Sequence, residues 1–171
     1  MDFFDVVNNR FSYRGVFKEQ PVLYDDKIKI LQCATKAPSG CNLETTYFVA
    51  ITNKEILNAI SEIVPAVFTK TAPMIIAVLT ENIITKCDVA FELEDYAAAV
   101  ENLLLAVTAC GYASVWLDGV IKPEQRQQKL RKLLNVKDNM VLRALLPVGV
   151  PAEAYPRKQK KSFEDRVSFI D

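Results

Sequence analysis

Histidine is absent from the sequence. That absence removes the usual base of Ser-His-Asp and Cys-His catalysis and the commonest ligand of zinc and copper, so enzymes built on those devices are excluded. Glycine is nearly as sparse. The five glycines, at positions 15, 40, 111, 119 and 149, fit neither a GxGxxG turn nor a Walker loop in any register, so a nucleotide has to be gripped in some other way. The four cysteines, Cys33, Cys41, Cys87 and Cys110, form no CxxC pair and no metal knuckle, and they are expected to be free thiols in a reducing compartment. No stretch reaches the roughly 18 apolar residues that span a bilayer; the best, from Tyr96 to Val107, is broken by Glu101 and Asn102. The start, MDFFDVVNNRFSYRG, lacks the basic opening and long apolar run of a secretory leader, so the expected location is the cytoplasm, with no membrane partner. Nor does one sign of charge dominate. With 21 basic and 21 acidic residues the net charge is zero, and no basic stripe marks a nucleic-acid partner.

What remains is a chain of 171 residues, half of them hydrophobic, long enough for one domain with its own core. Asp2 to Asn9 reads as a short helix with Asp2 as N-cap. A second helix is expected from a cap at Asp25 or Asp26 through Ala37, stopped by Pro38 and Gly40. Tyr47 to Thr52 is a β-branched and aromatic run, Lys54 to Val64 has helical apolar spacing, and Pro73 to Thr80 is a strand apolar on both faces, which belongs in the centre of its sheet. Phe91 to Cys110 is a long helix, apolar nearly all round in its second half and ended by Gly111. Ala113 to Leu117 is a short strand, Pro123 opens another helix, and Met140 to Val148 is a further strand. Long helices flanking few strands predict an α+β domain over 1–171. The tail, 152–171, has too few apolar residues for a core of its own and should lie on something else, such as a second subunit.

Three segments offer chemistry. RFSYR places Arg10, Ser12 and Arg14 within five residues, and two guanidinium forks with a hydroxyl suit a phosphate; a solvated turn explains the same cluster. In APSGCN, Pro38 and Gly40 break a helix and free backbone N–H groups while Ser39 and Asn42 add side-chain donors and acceptors, an arrangement that grips a polar heterocycle or simply stops the helix. The third comprises GYASVWLDG and the basic tail carrying Arg157, Lys158, Lys160 and Lys161, which contacts phosphate or is merely solvated. Cys41 lies inside the second segment. A buried, inert thiol is expected there, because only Lys36 is near enough in sequence to lower its pKa. Trp116 is expected in the core.

RFSYR, APSGCNLETT, DYAAAVENLLLAV, GYASVWLDG and LLPVGVP occur in this order over nearly the whole chain, and together they resemble the nitroreductase family. The resemblance implies an α+β fold with a central, mainly antiparallel sheet flanked by helices, and a homodimer in which the tail embraces the other subunit and each of two FMN molecules touches both chains. It further implies that Arg10, Ser12 and Arg14 hold the phosphate and ribityl end, with Lys160 or Lys161 in place of a tail arginine. Pro38, Ser39, Gly40, Asn42 and Glu44 would border the flavin ring, and Leu117, Asp118 and Gly119 would line the pocket. Where the family has QPW, QN and GG, this chain has Glu44-Thr45-Thr46, Glu101-Asn102 and Asp118-Gly119. An aromatic wall is lost and three carboxylates are gained, which near a flavin would lower its reduction potential and repel acidic substrates; Asp118 is expected to point to water.

The implied activity is electron transfer from NADH or NADPH through FMN to a small acceptor, a nitroaromatic, quinone or flavin, by a ping-pong mechanism. No protein acid, base or nucleophile is required, in keeping with the lack of a candidate. Two alternatives stay open: a flavin-free, non-catalytic dimeric binding protein on the same fold, and a specialised flavin dehydrogenase or dehalogenase.

Overall fold

A computed structural model of the chain describes residues 1–84 and 88–170. The fold is organised by its most apolar segment. Strand β2 (Met74–Glu81) is buried along nearly its whole length, so it can sit only where both faces are covered. It pairs antiparallel with β1 (Thr46–Ile51) on one side and β4 (Met140–Gly149) on the other. A two-residue β3 (Ala113–Ser114) adds to the far edge of β4, giving the order β1-β2-β4-β3, antiparallel throughout. The expected central strand is therefore central.

Period-two alternation divides the core into two layers. Met74, Ile76 and Val78 of β2, with Ala144, Leu146 and Val148 of β4, pack against α2 (Tyr24–Ala34) and α5 (Glu92–Ala109). Ile75, Ala77 and Leu79, with Leu142 and Leu145, face α3 (Lys54–Ile63) and α6 (Glu124–Leu133). The short α1 (Phe3–Asn9) lies on α5, and α4 (Val67–Thr71), which the sequence pattern did not suggest, packs beside α3. Between Val78 and Leu79 the register slips, with Val78 opposite Ala144 and Leu79 opposite Leu142. Arg143 is the extra residue of this bulge, and such a bulge re-aims a side chain.

The helix ends follow local chemistry with two corrections, both in α2. Asp2 caps α1 through a box with Asp5, and Asn53 caps α3 by accepting from the N–H groups of Glu55 and Ile56. Neither Asp25 nor Asp26 caps α2, because Leu23 holds the N-cap position and both aspartates lie in the first turn. The Tyr112 hydroxyl accepts from Leu23 N–H at 3.2 Å and donates to Asp26 Oδ2 at 3.0 Å, so a core tyrosine ties down the start of the helix and engages the Asp26 carboxylate. The helix also stops at Ala34 rather than Ala37, as the N–H groups of Lys36 and Ala37 turn back to carbonyls three residues away. Gly111 ends the α5 region in the left-handed conformation, φ 82°.

After β4 the chain pairs with 16–18 through the Phe17–Pro151 bridge and runs over the N-terminal segment; from Arg157 to Ile170 its side chains are exposed. Cys33, Cys41 and Cys110 are free thiols; Cys87, expected to be free as well, lies outside the described residues. No helix among the described residues is long and apolar enough to cross a membrane.

Leu103 is fully buried between the sheet and α2. Leu103→Ala should lower the unfolding free energy by about 2–5 kcal/mol, read from urea denaturation at fixed protein concentration. A loss under about 1 kcal/mol would show that α5 is not the central packing element.

Candidate functional site

Helix α1 delivers Arg10, whose N–H closes the helix on the Val6 carbonyl at 2.9 Å. Beyond it the chain is extended and runs beside β3: Ser12 bridges Ser114 in parallel, and Tyr13 N–H donates to the Ser114 carbonyl at 2.9 Å. Phe11 and Tyr13 pack into the core, so alternation puts Arg10, Ser12 and Arg14 on the opposite side. The RxSxR spacing is thus one face of an extended strand, with both guanidinium groups and the hydroxyl projecting the same way. Arg10 is partly buried and its Nε lies 3.4 Å from Glu101 Oε1 of α5 without forming a hydrogen bond; Arg14 is exposed. Across from Ser12, the buried Ser114 hydroxyl also lacks a partner.

The tail contributes here, through a residue other than the two lysines. Arg157 sets its guanidinium 4.6 Å over the Phe11 ring and donates to the Asn8 carbonyl at 3.3 Å. It supplies the cation that α1 lacks in its last turn. Lys160 and Lys161 are exposed and make no ion pair or hydrogen bond among the described residues.

The second segment forms a strained loop. Cys41, Asn42 and Glu44 all take left-handed backbone angles, φ 52°, 55° and 51°, a conformation that costs non-glycine residues about 1–3 kcal/mol each and clusters at functional sites. Asp95, buried in the first turn of α5, holds the loop: Gly40 N–H and the Thr45 hydroxyl each donate to its carboxylate at 2.7 Å. Ser39 Oγ accepts from Glu44 N–H at 3.0 Å. Gly40 itself lies so close to Phe91 that a Cβ would fall 2.2 Å from the ring. Pro38, Ser39, Glu44, Thr46, Phe48 and Asp95 are among the residues lining a cavity of about 310 Å³. Cys41 is exposed rather than buried, because the left-handed turn at this residue lifts it out of the loop.

The third segment continues from β3. Trp116 meets Tyr96 edge-on at 5.7 Å, with its indole N–H buried and unpartnered at the margin of the core. Leu117 exchanges both backbone hydrogen bonds with Leu145. Asp118 is only half solvated, since its carboxylate accepts from Gly119 N–H and lies 3.9 Å from Lys122 Nζ. Burial, and then the Asp118 charge, push the Tyr96 phenol above its ordinary range, against the opposing pull of Arg143. Arg143 reaches from its bulge to Thr80 Oγ1 at 2.7 Å and to Glu92 at 3.3 Å. Sequence reasoning missed Asp95, Tyr96 and Arg143, although a lone arginine in MVLRALLPV was a visible signal.

Helix α5 links the three segments through Asp95 to the loop, Tyr96 to Trp116, and Glu101 to Arg10. Asp95 and Glu101 are about 9 Å apart along the helix axis and some 120° apart around it. Consequently the 310 Å³ cavity includes Pro38, Ser39 and Glu44, whereas Arg10, Ser12, Arg14 and the 117–119 turn lie outside its lining. From Ser114 to Asp118 the chain covers about 13 Å. Among the described residues no three His, Cys, Asp or Glu side chains gather as a metal site.

A model of the nitroreductase family matches residues 7–71 and 64–150. An Archaeoglobus fulgidus protein with the provisional name NADH dehydrogenase/NAD(P)H nitroreductase is 32% identical over 164 residues, covering 93% of this chain and 88% of its own. Iodotyrosine deiodinase of Thermotoga neapolitana is 26% identical over 180 residues, covering 90% and 91%. A provisionally named nitroreductase from Desulfovibrio desulfuricans, solved in complex with FMN, superimposes with a TM-score of 0.83 over 99% of this chain and 97% of that one, at 21% identity. The α+β fold is that of these proteins.

Replacing Asp95 strands two buried donors. Asp95→Ala should cost about 3 kcal/mol in chemical denaturation, and Asp95→Asn, which keeps one acceptor, about half as much. Equal stability of wild type and Asp95→Ala would show that the loop is held by other contacts.

Proposed function

The chain belongs to the nitroreductase family, and we propose that it binds FMN as a homodimer and carries electrons from NADH or NADPH to a small acceptor, a nitroaromatic, a quinone or a flavin. The observation that carries this reading is the shared face of Arg10, Ser12 and Arg14 on an extended segment bridged to Ser114. From that anchor the strand leads directly to the turn at Leu117, Asp118 and Gly119. The residues fit the group: forked donors for phosphate, and a strained loop at Pro38, Ser39, Gly40, Asn42 and Glu44 whose Asn42 side chain and Ser39 hydroxyl remain for a polar ring. When bound, FMN supplies hydride acceptance and electron return. The chain's own part is to clamp the phosphate, orient the ring between loop and turn, and limit water around it. One face serving donor and acceptor in succession makes the kinetics ping-pong.

Two chains are needed for one complete site in this reading, because the phosphate residues and the ring-bordering loop lie on different sides of α5 within one chain. The exposed apolar residues Phe3, Phe4, Leu23 and Tyr24, and Phe163, Phe169 and Ile170 in the tail, are consistent with burial against a second copy. We read 152–171 as the segment that embraces the partner, bringing Lys160 or Lys161 to its phosphate. Free thiols agree with a cytoplasmic location. The Thermotoga neapolitana deiodinase favours a second reading, a specialised flavin dehalogenase, and turnover of halogenated phenols but not of nitroaromatics or quinones would select it.

The visible spectrum of the purified protein tests the proposal. Flavin bands that bleach on anaerobic addition of NADPH are expected, and replacing both Arg10 and Arg14 with Ala should strip the flavin. A colourless protein that takes up no added FMN would instead select the flavin-free reading.

A further inference from the structure

Arg10 meets the phosphate of the proposed site with its charge already partly offset. Its Nε is buried, hydrogen-bonded to nothing, and 3.4 Å from the Glu101 carboxylate. The two terminal nitrogens of the fork have no ion pair or hydrogen bond among the described residues, so the fork is free to engage an anion. Glu101 itself is about half exposed, with a side-chain accessibility of 46%, and its carboxylate lies beside any anion bound to that fork. A carboxylate this close falls well within the screening length of about 8–10 Å at ordinary ionic strength. It opposes a phosphate dianion while leaving an uncharged ligand almost unaffected.

We propose that Glu101 sets the preference of this site between phosphorylated and unphosphorylated flavin: it lowers the affinity for FMN relative to riboflavin by offsetting the charge of Arg10. The inference rests on the FMN reading above. It makes FMN more readily exchangeable than two free arginines would allow. Arg157 does not restore the lost charge at Arg10, because its guanidinium is engaged at the end of α1 over Phe11.

The test is equilibrium titration of flavin-depleted protein with FMN and with riboflavin, followed by flavin fluorescence. Glu101→Gln removes the charge and keeps the size of the side chain. It should tighten FMN about three- to fivefold, the effect of a half-exposed ion pair, leave riboflavin within about twofold, and make FMN binding more sensitive to salt. Glu101→Ala, which also removes the bulk of the side chain beside Arg10, should shift FMN in the same direction. Unchanged FMN affinity in Glu101→Gln, equal tightening of both flavins, or weaker FMN binding in Glu101→Ala would overturn the inference, the last by making Glu101 a positioning residue for Arg10. If wild type binds neither flavin, the FMN reading fails first and this one with it.

Discussion

A buried carboxylate at the start of α5 fixes where everything else in the candidate site can be. Asp95 is 4% exposed and accepts from Gly40 N–H and from Thr45, so its desolvation is offset by two charge-assisted bonds and by the N-terminal end of the helix dipole. Those bonds hold a loop that would not persist alone, because three of its non-glycine residues are left-handed. The next residue, Tyr96, meets Trp116. One helical turn therefore sets the positions of the loop and of the strand that leads to the 117–119 turn.

Charge is divided between segments. Arginines 10 and 14 stand on the extended N-terminal segment, while Glu44 lies in the loop and Asp118 in the turn that follows β3. Such polarity suits a ligand with an anionic end and a neutral ring. In a chain of zero net charge the two cations are placed on one face by strand alternation, while Asp118 is engaged with Lys122 and the Gly119 N–H and Glu92 with Arg143.

The fold was largely legible because burial and periodicity agree. β2 is apolar on both faces and is the central strand; α5 is rich in strong helix formers and is the longest helix. RFSYR stood out as a cluster of Arg10, Ser12 and Arg14, but that it is an extended segment bridged to Ser114 depends on a partner about a hundred residues away. What escaped depends on contacts distant in sequence. Tyr112 engages Asp26 at the start of α2 across 86 residues, and Asp95 meets Thr45 across 50. The Arg143 bulge comes from a pairing slip that no local pattern records. Cys41 was expected to be a buried, inert thiol because only Lys36 is near it in sequence, yet the backbone turn exposes it.

In the proposed site one flavin mononucleotide is held by the 10–14 face and the 117–119 turn of one subunit and by the 38–44 loop of the other. A crystal structure of the protein grown with FMN is the direct test. The phosphate is expected within hydrogen-bonding distance of Arg10, Ser12 or Arg14, the ring against the loop, and residues of two chains around each flavin. A phosphate bound away from those side chains, or a ring enclosed within a single chain, would contradict it.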